Sequence, residues 1–497
     1  MKNFTRATSA FLLFAMLASM LAACNGDPLK SLTDREKAEL IMEKTNAAYS
    51  DKLVQTSEFS QVVEGTINAV ETKTEISGSA KRTVLDATKD TMSTLNVQNL
   101  KISAMTGGVG VTKKYVSTSG YADGYMFTGY DSENADETDI FLKSKLDSKD
   151  YFPYLKKTEQ EIGDLDYTSL CETVSVKLSD DKKSYVLRFE QSAGEENTEI
   201  EDMINVFTKS FGVRFKLVSF ELECIADSET CVIYESDAKI VAESDKFGED
   251  VLRFTYIIKS SSSLPNGADA VKPESLDSYT ETGDLRFCGI LSAHINNIIS
   301  SNNIQFHFYT SQKITSYSET VSQYSEADTV NCGIKNDTYV QYITAGSFPN
   351  NYIITFNGTE QTVSQGNNVV NNPMTELGAR MYLSSILGNL PVSPEEFISV
   401  NNRGKADGGI LVEFDLIITD LSKQIFARFG YASEIKNASL KLSATFDEEM
   451  NVLSAKTELF GQVDVNGKTH TIRVENKIYS FSEADLSQVR VPRPKKN

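Results

Sequence analysis

The feature that most restricts the fold is a near-repetition inside the chain. Phe211–Ser263 can be laid on Tyr431–Glu483 at a constant offset of 220 residues, without a gap. Asp227 then falls on Asp447, Val232 on Val452, Arg253 on Arg473, Ile258 on Ile478 and Ser260 on Ser480. Lys216 and Leu222 fall on Lys436 and Leu442. Upstream, Val186-Leu187-Arg188-Phe189-Glu190 is similar to Leu411-Val412-Glu413-Phe414-Asp415, and in both halves that strand leads into a helix ended by Phe-Gly. Identity is low, so the order of elements carries the comparison. Two copies of one strand-rich fold are expected; the alternative is two generic hairpins of similar period.

The rest of the chain fits that order. Thr33-Asp34-Arg35-Glu36 is a capping box. The helix behind it places Ala38, Ile41, Met42, Thr45, Ala48 and Tyr49 on one face. Alternating segments at 61–70, 81–87, 95–102 and 114–122 read as strands. Asp123-Gly124 is a hairpin turn into the strand Tyr125–Tyr130. Helices are expected at 150–162, 198–211, 374–387 and 421–429, and one near 287–298 with Phe287, Ile290, Leu291, His294, Ile295 and Ile298 on one face. The polar stretch opened by Ser260-Ser261-Ser262-Ser263 reads as a linker between the halves.

The first residues supply an address. Lys2 and Arg6 precede an apolar run, Ala10 to Leu21, too short to span a bilayer comfortably. Leu21-Ala22-Ala23-Cys24 then places small residues before a cysteine. The pattern resembles the lipobox of bacterial lipoproteins. That resemblance implies a diacylated Cys24 sulfur, cleavage before Cys24, and anchoring in the membrane by lipid alone. Asn25 follows in place of the aspartate that retains lipoproteins in the inner membrane of enteric-type bacteria. Outer-membrane sorting is then implied in a cell with two membranes, and the outer leaflet in a cell with one. Loss of residues 1–23 removes Lys2 and Arg6 and no acid, taking the net charge from −20 to −22. So acidic a chain is a poor partner for nucleic acid, whose binders need basic grooves.

Five cysteines remain beyond Cys24. Strands around Ala226-Asp227-Ser228-Glu229 put Cys224 opposite Cys231, as a disulfide or as two partly buried thiols. The pairing of Cys171, Cys288 and Cys332 stays open. Chemistry is sparse. His294, His307 and His470 occupy no two-histidine motif, and the acids at 131–139 lack the glycine of a calcium loop. Gly467-Lys468-Thr469 follows Asn466 in a hairpin turn and lacks the first glycine of a phosphate loop. No catalytic residue, metal site or cofactor is expected. Strand alternation puts Tyr125 and Phe127 on one face, as core residues or as the lining of a ligand cavity.

Helix, long antiparallel strands, helix and closing hairpins, twice over, lead to an α+β expectation. It comprises two tandem curved sheets, or half-barrels, each covered by a few amphipathic helices. The boundaries are a signal peptide at 1–23, a lipidated tether at 24–32, domains at 33–263 and 285–484, a linker at 264–284 and a basic tail at 485–497. This order resembles the LolA/LolB superfamily of periplasmic lipoprotein carriers and receptors, which includes the LppX and RseB proteins. The resemblance implies a half-barrel closed by helices around an apolar cavity. The function expected from it is non-enzymatic: binding of a lipid, an acyl chain or a lipidated partner at the cell envelope. The alternatives are an envelope sensor or interaction scaffold with filled cores and, less favoured, an extracellular hydrolase.

Overall fold

The computed structural model describes residues 29–491 except 68–69, 86–92, 134–138, 159–165, 195–199, 202–203, 205–214, 245–250, 267–268, 317–318, 337, 348–349, 375, 388–389, 392–393, 407, 419–434 and 466. The lipobox and Cys24, the helix expected at 421–429, and most of that at 198–211 lie outside the described residues.

The long alternating segments form two sheets. The first is built from β1 (Lys52–Ile67), β2 (Val70–Leu85), β3 (Ser93–Thr106), β4 (Val109–Ala122), β5 (Tyr125–Ser132), β6 (Ile140–Lys145), β7 (Thr173–Leu178), β8 (Ser184–Ser192), β9 (Phe215–Asp227), β10 (Ile233–Ser244), β11 (Leu252–Ser263) and the short β12 (Thr280–Glu281). The second is built from β13 (Asn303–Ser316), β14 (Glu319–Lys335), β15 (Thr338–Ser347), β16 (Asn350–Phe356), β17 (Glu360–Gln365), β18 (Asn368–Pro373), β19 (Phe397–Ala406), β20 (Gly409–Leu416), β21 (Lys436–Phe446), β22 (Val452–Val465) and β23 (Lys468–Ser482). In the first sheet β1 pairs with β11, and hairpins run outward on both sides, to β6 and to β7; in the second, β13 pairs with β23 and the hairpins run out to β18 and β19.

The expected α+β class is wrong. Strands take 64% and helices 14% of the described residues, so these are mostly β, and two large sheets replace helix-covered half-barrels. Among the described residues the helices are α1 (Asp34–Ala48), α2 (Ser148–Thr158), α3 (Tyr167–Leu170), α4 (Arg286–Ser300) and α5 (Glu376–Leu387). Strands of 14 to 17 residues expose more inner face than five helices cover, so the sheets bury much of that face on their own side chains. Register fixes that face: Phe189, Leu222, Ala238, Ile258 and Phe59 lie in one row across β8, β9, β10, β11 and β1. With Phe220, Ile240 and Phe254 they form a core against Ala38 and Ile41 of α1.

The segment 264–284 is not a free linker. Its Tyr279 is buried edge-on against Phe127 and Phe141. Lys143 donates to the Leu276 carbonyl at 2.7 Å, and Lys81 pairs with Asp269 at 3.0 Å. Thr280–Glu281 then pairs in parallel with β6. Next, Gly283 N donates to Val400 O and Val400 N to Thr282 Oγ1, on β19 of the second sheet. The segment is a strap joining one edge of each sheet. Beneath it Ile140 and Leu142 of β6 share a core with Leu285, Phe287 and Leu291 of the second half.

Candidate functional site: a trough on the outer face of the first sheet

A one-residue step along each strand reverses the direction of its side chain. The residues next to the core row therefore form a row on the opposite face: Arg188, Glu223, Asp237, Lys259, Glu58, Ser79 and Asn99 across seven strands. The parallel row two residues on runs Ile225, Glu235, Ser261, Thr56, Lys81 and Val97. The twist of the sheet makes these rows the floor of a trough of ≈ 790 Å³, which also takes in Thr83 and Leu95 and is edged by Ala270 of the strap. That volume lies within the range of small-molecule sites, about 300–1,000 Å³.

Its chemistry is graded. At the strap end Leu95 and Val97 continue into the apolar cluster of Phe127, Tyr279 and Leu276. Toward β9 the walls are charged and hydroxylated. Lys259 pairs with Asp237 at 3.0 Å and Arg188 with Glu223 at 2.7 Å, while the Thr56 and Ser261 hydroxyls are 2.7 Å apart. Lys81 is held by Asp269, whose carboxyl lies below the usual range because the Asn266 backbone N–H and then Lys81 stabilise its charge. Glu58 and Glu235 form no salt bridge among the described residues, which leaves the trough a net acidic surface.

The residues singled out from the sequence lie elsewhere. Phe127 is wholly buried; it lies in the row of Leu95, beyond Gly120 and under Tyr279, and does not line the trough. Tyr125 is half-buried with the Lys143 ammonium over its ring at 5.4 Å. The two share a face and no cavity. The two cysteines are not joined: Cys224 lies opposite Ser236, Cys231 sits in the turn at φ 57°, and both are buried. Burial pushes the Cys224 thiol up to about 12, which leaves it unreactive. His294 is half-buried, lowered to about 4 by desolvation, with its ring edge-on to Phe481. His307 bonds Thr329 on the second sheet. Among the described residues no group of three His, Cys, Asp or Glu side chains could hold a metal ion.

The trough itself escaped the sequence reading. Its one signal is Ser260-Ser261-Ser262-Ser263, whose composition reads as a linker. In the structure these serines end β11, where alternation aims Ser261 into the trough.

No protein-family model matches the chain, and no curated protein does. Similarities to solved structures are faint. A DUF1329 family protein from Desulfovibrio piger is 10% identical over 40% of this chain and 92% of its own, with a TM-score of 0.17. A LolA superfamily protein from Nitrosomonas europaea is 8% identical over 37% of this chain and 87% of its own, at 0.14. The OccK5 (OpdH) protein of Pseudomonas aeruginosa is 6% identical over 88% of this chain and 99% of its own, at 0.13. Likenesses of this size transfer neither fold nor function.

Proposed function

We propose that the chain is a lipid-anchored, non-enzymatic envelope protein, and that the trough binds an amphiphile, either a lipid or the acylated end of a partner. The observation that carries this is the gradient along the trough. The apolar part of the ligand lies on Leu95 and Val97 beneath Ala270, and its polar end meets hydroxyls and the Glu58 and Glu235 carboxylates. Carboxylates without a basic partner disfavour an anionic head, so a neutral or cationic one is expected. A bare acyl chain fits the trough less well than an amphiphile, because it leaves the hydroxyls and the Glu58 and Glu235 carboxylates without a partner.

Native mass spectrometry of the chain from residue 25 onward tests the reading. A co-purifying amphiphile, lost in Val97→Asp, is expected. If no lipid co-purifies and none binds on addition, ligand binding fails. The second reading, an interaction scaffold, is favoured by the filled inner faces: Phe220 and Phe254 in the first sheet and Phe306 and Phe414 in the second are wholly buried.

A further inference from the structure

We propose that β18, the free edge of the second sheet, pairs with the β18 of a second copy of this chain, so that two molecules share one continuous sheet across a two-fold axis. β18 is the outermost strand of its sheet, beyond β17. The outer strand at the other side, β19, is bonded by the strap, and β6 of the first sheet is paired by β12. All six residues of β18 are exposed, with Val369 at 59% and Val370 at 57%.

Register fixes what this edge offers. Met374 N donates to Thr359 O at 3.2 Å, so even-numbered residues of β18 turn their N–H and C=O toward β17 and odd-numbered ones turn them away. Val369 and Asn371 thus present two N–H and two C=O groups at the open edge. Pro373, next in that series, has no N–H and ends it. Val370 lies on the inner face, in one row with Phe306, Val330, Ile343, Ile354 and Val363. Phe306, Val330 and Ile343 are wholly buried, Ile354 nearly so, and Val363 is half-buried. The core row of the sheet therefore runs out into water at Val370, where one more strand would cover it.

Charge and symmetry identify that strand. The chain carries a net charge of −20, so two copies repel wherever their acids meet. Residues 361–375, between Glu360 and Glu376, include no charged side chain. Edge strands are ordinarily guarded by lysine or another charge, and this one is not. An antiparallel copy centred on Val370 sets Val369 opposite Asn371 of the second copy and Asn371 opposite its Val369, which makes four backbone hydrogen bonds. Val370 then meets its own counterpart on the inner face. Asn368 meets Asn372 of the second copy, and each amide carries both donor and acceptor. Such an isologous contact closes at two chains. It is small beside the about 1,600 Å² of a standard interface, so the dimer forms only at raised concentration.

Sedimentation of the chain from residue 25 onward, at rising micromolar concentration, is expected to pass from monomer to dimer. Val370→Lys sets like charges across the axis, and Val369→Pro removes an outward N–H while leaving the β17 ladder whole. Each is expected to hold the chain monomeric, with its melting temperature at low concentration unchanged. The Cα atoms of the two Val370 residues would lie about 4.5 Å apart, within reach of a disulfide. Val370→Cys is therefore expected to cross-link on mild oxidation, since the five native cysteines beyond residue 24 are buried. Val111→Cys, equally exposed but on the first sheet, is expected not to. A chain that stays monomeric at every concentration, or a Val370→Cys variant that cross-links no faster than Val111→Cys, overturns the pairing and leaves the edge to a strand of another protein. A dimer that survives both Val370→Lys and Val369→Pro overturns it as well.

Discussion

Asp328 lies on β14 in the inner row that continues to Val330 and Cys332, and it is nine-tenths buried beside Glu326. Its Oδ1 has no hydrogen-bond partner among the described residues. Burial, and then the Glu326 charge, raise its carboxyl to about 7. The folded protein therefore holds this proton more tightly than the unfolded chain, whose carboxyl titrates near 3.8. Stability from this group is full at low pH, falls as pH rises from about 4 to about 7, and is level above. Thermal unfolding at pH 5 and pH 8 checks it. Asp328→Asn should flatten the slope and be the more stable form at pH 8 by about 1–3 kcal/mol. Phe414 is wholly buried against Phe397, and Phe414→Ala should cost about 3–5 kcal/mol in denaturant unfolding. Single residues show how legibility failed. The alternation of β5 correctly put Tyr125 and Phe127 on one face. Nothing local to those residues indicated that the strap would lay Tyr279 over Phe127 and make it core.

Elements were legible where their signal is local. The Thr33–Glu36 capping box forms as read, with Thr33 N donating to the Glu36 carboxylate at 2.8 Å and Glu36 N to Thr33 Oγ1 at 3.3 Å. Thr33→Ala should lower stability by about 1 kcal/mol, and Thr33→Ser should restore most of it, in the same unfolding measurement. Asp227 and Asp447, matched by the offset of 220, both organise turns: Oδ1 of each accepts from the N–H two residues on, Glu229 or Glu449. The gap-free alignment fails beyond those turns. Leu222, Ala238 and Ile258 stand across the first sheet where Leu442, Thr457 and Asn476 stand across the second. The offset therefore falls from 220 to 219 to 218. Without those shifts Ala238 would match Glu458, on the wrong face of β22. Each path from row to row is one residue shorter in the second half, which leaves the order of strands intact while changing which residues meet.

At the scale of the molecule, the two halves share a core as well as a chain. Ile140 and Leu142 of β6, with Met126 and Tyr130 of β5, pack among Leu285, Phe287, Leu291 and Ile295 of the second half. Ser144 accepts the Leu285 N–H, and the strap ties β6 to β19 through Thr282, Gly283 and Val400. A boundary drawn from composition at 263 and 285 follows the sequence of elements and not the packing, because a polar segment rich in turn residues looks the same whether it is free or docked. Exposing the apolar surface of β5 and β6 would cost on the order of 25 cal/mol for each Å². The halves are therefore expected to unfold together, in one calorimetric transition. A chain ending at residue 263 should melt at lower temperature than the whole protein and expose dye-binding apolar surface before it does. Tyr279→Ala, which unseats the strap and leaves both sheets otherwise intact, should lower the single transition without splitting it if the shared core does the coupling. Two resolved transitions in that variant would assign the coupling to the strap.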